Sequence, residues 1–104
     1  MALPEKNNQV ITLVAASKYT RNFRQRADAG AIKAGLFWKE YVQKLLDQPN
    51  CVAMRYYHAV DEKDYPVIVL IGVDSDGNDI TNGTILEIGL PCPPFCSNIN
   101  QLNS

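Results

Sequence analysis

The sequence predicts an α+β fold: two N-terminal helices, then a three-stranded antiparallel meander and an irregular tail rich in proline and cysteine. Three observations predict it. Up to Asp47 apolar residues recur at spacings of three and four, as on a helix with one buried face. From Cys51 the period changes to two, that of a strand. The later segments are joined by polar clusters of Asp, Asn and Gly, and helices grouped ahead of strands belong to α+β architectures.

Residues 1–11 read as a loose leader, with Pro4 followed by a polar run from Glu5 to Gln9. Thr12 is a suitable N-cap for a first helix. Leu13, Ala16, Thr20, Phe23 and Ala27 would form its buried stripe, leaving Lys18, Arg21, Arg24 and Arg26 to solvent. Gly30 is placed to close that helix as its C′ residue. A second helix is predicted from about Leu36 to Asp47, with Trp38, Tyr41, Val42, Leu45 and Leu46 on its apolar face. Pro49 disfavours helical geometry at Gln48 and ends it.

In the first predicted strand Val52, Met54, Tyr56 and His58 point to one face, and Cys51, Ala53, Arg55, Tyr57 and Ala59 to the other. Residues 61–64 make a polar turn. Val67–Ile71 is apolar at every position, the pattern of a central strand covered on both faces. Residues 74–79 form a second turn, and Thr84–Leu90 a third strand. The tail, 91–104, carries three prolines and many amides and is expected to be irregular. Two helices cover such a sheet incompletely, which predicts a homodimer whose second subunit supplies the remaining cover.

A chain of 104 residues with 46% hydrophobic and 20% charged residues is expected to be one globular domain, 1–104. The longest apolar run has five residues, far short of a membrane helix, and the N-terminus shows no basic segment feeding a hydrophobic one. A cytoplasmic location is expected, with no membrane partner. Charge is uneven: residues 1–50 hold eight Lys/Arg against four Asp/Glu, and residues 51–104 hold two against seven. A basic helical layer and acidic loops of this kind can complement each other between subunits.

Cys92-Pro93-Pro94-Phe95-Cys96 is the most distinctive local motif. With Cys51 and His58 its cysteines make the minimum inventory for a Cys₃His zinc site. However, Cys51 and His58, seven apart in a strand, project to opposite faces. A disulfide or redox pair is the second option. Prolines at 93 and 94 hold the preceding residues extended, which separates the cysteines unless a turn or cis bond intervenes. A proline-stiffened tail packing two small apolar thiols and Phe95 against the sheet is the preferred reading. The Asp74–Asp79 loop lacks the glycine and glutamate positions of a calcium loop. His58 is the only histidine, and with Arg55 and Tyr57 it could line a small ligand pocket. Lys18–Arg26 mixes cations with Tyr19 and Phe23, as a nucleic-acid surface can, but the same residues suit a solvated helix face.

Leu46–Cys51, Arg55-Tyr56-Tyr57, Ile71–Asp74 with Gly77-Asn78-Asp79, and the Cys-Pro-Pro-Phe-Cys tail together resemble a group of small uncharacterised bacterial proteins. The resemblance covers roughly residues 45–97 and implies a bacterial intracellular domain, without an activity or ligand.

These readings converge on a small noncatalytic binding or assembly module that self-associates and needs no cofactor. The alternative is a small-ligand, thiol-redox or metal-binding protein using Cys92 and Cys96 near His58, with Arg55 and Tyr57. A second alternative binds nucleic acid through the first helix. An unidentified protein partner is compatible with the first reading, whereas nucleic acid is not expected in it.

Overall fold

The computed structural model describes residues 2–104. The elements run α1 (Leu13–Arg26), β1 (Ala34–Leu36), α2 (Lys39–Leu46), β2 (Ala53–Val60), β3 (Pro66–Val73), β4 (Ile85–Leu86) and β5 (Leu90–Cys92). The fold is α+β, with a three-stranded antiparallel sheet in the order β2-β3-β4 and a separate two-stranded sheet, β1-β5. The chain divides into two compact units. One holds Leu36–Gly89 with the first residues up to Glu5; the other holds Lys6–Gly35 and Leu90–Ser104.

The first unit is built on the pairing of β2 with β3, which runs unbroken from Ala53 opposite Val73 to Val60 opposite Pro66. The hairpin between them closes on Asp61. Its carboxylate accepts from the backbone N–H groups of Lys63 (2.8 Å) and Tyr65 (3.0 Å), while Asp64 takes a positive φ of 65°. The second turn closes on Asp74 in the same manner. Its Oδ1 accepts from Asp76 N (2.9 Å) and Asn78 N (3.0 Å), and Gly77 supplies the left-handed position, φ 84°. That carboxylate is committed to its own turn, which accounts for the Asp and Gly content there.

Helix α2 contacts β3 and β4. The core of this unit is Leu45, fully buried, with Leu70, Ile71 and Val73. Coverage on both faces, expected for all of Val67–Ile71, is reached only toward the end of β3: Leu70–Val73 are buried, whereas Ile68 is 40% exposed. Length explains the difference. Eight helical residues span roughly 12 Å and eight strand residues roughly 26 Å, so α2 is too short to cover the whole length of β3. The helix also starts later than Leu36, because β1 takes Ala34–Leu36 and Trp38 is the N-cap. As the sequence predicts, it stops before Pro49.

The second unit contains α1, capped as expected by Thr12, whose side chain accepts from Ala15 N at 3.1 Å. Its buried face differs from the predicted stripe. Ser17 is buried, with Ala16, Thr20, Arg24 and Ala27 half-buried, whereas Leu13 and Phe23 are each 53% exposed. The stripe is rotated toward Ser17 and Arg24, whose guanidinium bonds the carbonyls of Leu102 and Ser104 (2.7 Å to the latter). Ser17 Oγ donates to Val14 O at 2.9 Å, which satisfies the hydroxyl where it is buried. The helix ends at Arg26, with Ala27 N–H on Phe23 O. Gly30, predicted to cap it, instead occupies the turn beyond at φ 81°. The strand predicted over Thr84–Leu90 is divided: only Ile85–Leu86 joins β3, and Leu90 opens β5. The tail therefore begins as a strand beside β1, with Lys33 N–H on Cys92 O at 2.8 Å.

Candidate functional site

Strand alternation divides the Arg55-Tyr56-Tyr57-His58 segment between two faces. Arg55 and Tyr57 lie on one face and converge on Asp79, brought there by the short bridge of Asp79 with Val73. Arg55 Nη1 pairs with Asp79 Oδ1, Arg55 Nη2 donates to Gly77 O at 3.3 Å, and the Tyr57 hydroxyl donates to Asp79 Oδ2. Both carboxylate oxygens are thus engaged. The hydrogen bond from Tyr57, then the guanidinium of Arg55, holds the Asp79 carboxyl below its ordinary value. The same carboxylate raises the Arg55 guanidinium and the Tyr57 phenol, in each case mainly through its hydrogen bond. The cluster carries a single compensated ion pair. It holds neither a free nucleophile nor an unengaged base.

His58 lies on the opposite face with Tyr56, ring centroids 5.4 Å apart at 88°, an edge-to-face pair. Register places Met54, Ile68, Leu70 and Gly72 on that face as well. A Cβ on Gly72 would sit 2.8 Å from Gln48 Nε2, so this is the face that α2 partly covers. Beyond the helix, Tyr56 (60%), Val60 (65%) and Ile68 remain exposed.

The β2 edge is the more unusual feature. β2 stands at the border of its sheet with β3 on one side only, and its eight residues contain no proline. Among the described residues, the one hydrogen bond its main chain takes from outside the sheet is Cys51 Sγ on Ala53 O, at 3.1 Å. Its single charged residue, Arg55, is turned onto Asp79. Cys51 is half-buried and free.

Cys92 and Cys96 do not pack as two separate thiols. They form a disulfide, with Cα atoms 4.8 Å apart. The extended geometry expected of Cys92 and Pro93 presupposes trans peptide bonds, whereas Cys92–Pro93 and Pro93–Pro94 are both cis. Cys92 is buried and Cys96 exposed. Among the described residues no three of His, Cys, Asp and Glu are grouped to hold a metal ion. None of their helices is long and apolar enough to cross a membrane.

On α1, Lys18, Arg21 and Arg26 are exposed, but Arg24 is withdrawn onto the carbonyls of Leu102 and Ser104. Asp79 and Gln48 escaped the sequence reading. Both act across 20 residues or more, Asp79 on Arg55 at a separation of 24 and Gln48 on Thr84 at 36, so no local pattern marks them. No family model, no curated protein and no solved structure matches the chain.

Proposed function

We propose that the chain is a noncatalytic assembly module that pairs with a second copy of itself through the open edge of β2. The carrying observation is that edge: eight consecutive residues, unpaired on one side, with no proline and with their only charge turned away. Proteins ordinarily blunt such edges with lysine, proline or a bulge, because unpaired N–H and C=O groups template another strand. A second copy is the fitting occupant. An antiparallel strand paired with itself about a twofold axis is complementary by construction. With the axis at Tyr56 or Tyr57, odd residues meet odd and even meet even, so both sheet faces continue across the join. The exposed Met54, Tyr56 and Val60 then gain apolar neighbours from the other copy. The area involved is modest, which puts the dimer in the weak class, with a dissociation constant of roughly 10–100 µM. The bacterial cytoplasm as its setting belongs to the same proposal and rests on the sequence resemblance.

Sedimentation velocity across the micromolar range tests this. The expected result is a monomer–dimer equilibrium that Tyr56→Lys abolishes, since it sets like charges near the axis while leaving the folded monomer intact by circular dichroism. Hydrogen exchange offers a check without a variant: β2 amides are expected to gain protection as protein concentration rises. A wild-type monomer at every concentration, with β2 exchange independent of concentration, would refute the proposal.

A further inference from the structure

We infer that Cys92–Cys96 is an exchangeable disulfide that accepts two electrons from an anionic peptide dithiol seated in the cleft beside Arg24 and Lys33. The site lies wholly in the second compact unit and is independent of β2 pairing. Three observations carry it. The two sulfurs are unequal: Cys92 is 4% exposed, whereas Cys96 is open to solvent, so an incoming thiolate has one sulfur to attack. Cys96 and Pro93 wall an open cleft of about 290 Å³ together with Arg24, Lys33 and Asp28, two cations against one carboxylate. Lys33 Nζ is held by a neutral acceptor, Asn103 O at 3.2 Å, so its charge stays uncompensated, while Arg24 is fixed at the cleft by Leu102 O and Ser104 O. Such surroundings attract a thiolate and favour Cys96 as the thiolate once it is released. The bridge closes a loop of only five residues, and cross-linking removes least entropy from short loops.

The exchange balances as follows. One thiolate of the peptide attacks Cys96 Sγ; the Cys92–Cys96 bond breaks, a mixed disulfide forms on Cys96, and Cys92 leaves as a thiolate that takes up a proton. The second peptide thiol, deprotonated, attacks the peptide-side sulfur of the mixed disulfide. The peptide disulfide forms, and Cys96 leaves as a thiolate and is protonated. The peptide loses two electrons and two protons, and the cysteine pair gains both.

The test uses the intact oxidised protein and single-cysteine peptides flanked by either acidic or basic residues, quenched with an alkylating agent and mapped by mass spectrometry. The expected pattern is peptide on Cys96 and alkyl group on Cys92. The acidic peptide should react about tenfold faster at low ionic strength, the difference fading as salt screens the cleft. Lys33→Gln should slow the acidic peptide about threefold and leave the basic one unslowed. An acidic two-cysteine peptide should then emerge oxidised, leaving the protein two daltons heavier. Attack at Cys92, reaction only in denaturant, or equal rates for the two peptides at low salt would each overturn the inference.

Discussion

Asp79 is the residue on which β2 and the loop after β3 depend most directly, since both its oxygens are engaged by β2 side chains. The sign of its pH dependence follows from its neighbours. A carboxyl lowered in the folded state stabilises the fold above its ordinary value of 3.8, and that contribution is lost as pH falls through the lowered value. Tyr57 runs the other way. Its raised phenol contributes below its ordinary 10.0 and loses that contribution as pH rises through the raised value. Asp79→Asn should therefore lower the urea midpoint by a constant amount across the neutral range. The gap from wild type should narrow below about pH 4 and above about pH 10; a gap independent of pH from 2 to 11 would show that the cluster is not electrostatic. At this scale the sequence was legible where partners are local. Thr12 could be identified as a cap because its acceptor role spans three residues. The placement of Arg55 and Tyr57 on one face also follows from alternation. Their partner does not, because which turn residue returns to β3 is set by the hairpin geometry after Asp74.

Among the elements, α2 and β4 are joined by one side chain. Gln48 Nε2 donates to Leu45 O at 2.8 Å, and its Oε1 accepts from Thr84 N at 2.8 Å. Gly72 and Gly83 leave the space it occupies, since a Cβ on either would collide with its carboxamide. Gln48→Ala should cost about 1–3 kcal/mol, chiefly by leaving the Thr84 amide without its partner. Gly83→Ala should cost a similar amount, about 1–3 kcal/mol, by overpacking. Because both act on one carboxamide, the double variant should lose less than the two single losses together. Simple additivity in urea unfolding would show that Gln48 does not occupy that space. The elements also show why hydrophobic period alone misplaces faces. Leu13 and Phe23 lie within the apolar pattern of α1, but the buried side is fixed by Arg24 reaching carbonyls that lie 78 and 80 residues along the chain. Similarly, the apolar run of β3 reads as covered throughout, whereas the actual cover is set by the length of α2.

At the level of the whole molecule, each of the bonds described above lies within one compact unit or the other. Leu45, Leu70, Ile71 and Val73, the Gln48 bracket and the Arg55–Asp79 pair fall in one; the disulfide and the Arg24 and Lys33 bonds to the tail fall in the other. The sequence shows no linker, and this division is not visible in it, because the second unit joins residues 6–35 to residues 90–104. Reduction of Cys92–Cys96 should therefore act on one unit only. By the loop-closure relation a five-residue bridge contributes about 2 kcal/mol to the unit that contains it, equivalent to roughly thirtyfold faster exchange through unfolding of that unit. Amides of α1 should accelerate by about that factor on adding reductant. Those of Ile71–Val73, embedded in the first unit's core, should keep their rates. The comparison is made at fixed protein concentration, so that any pairing through β2 contributes equally to both measurements. Equal acceleration in α1 and β3 would mean that the two units unfold as one cooperative body, and no acceleration in either would mean that the bridge serves exchange chemistry alone.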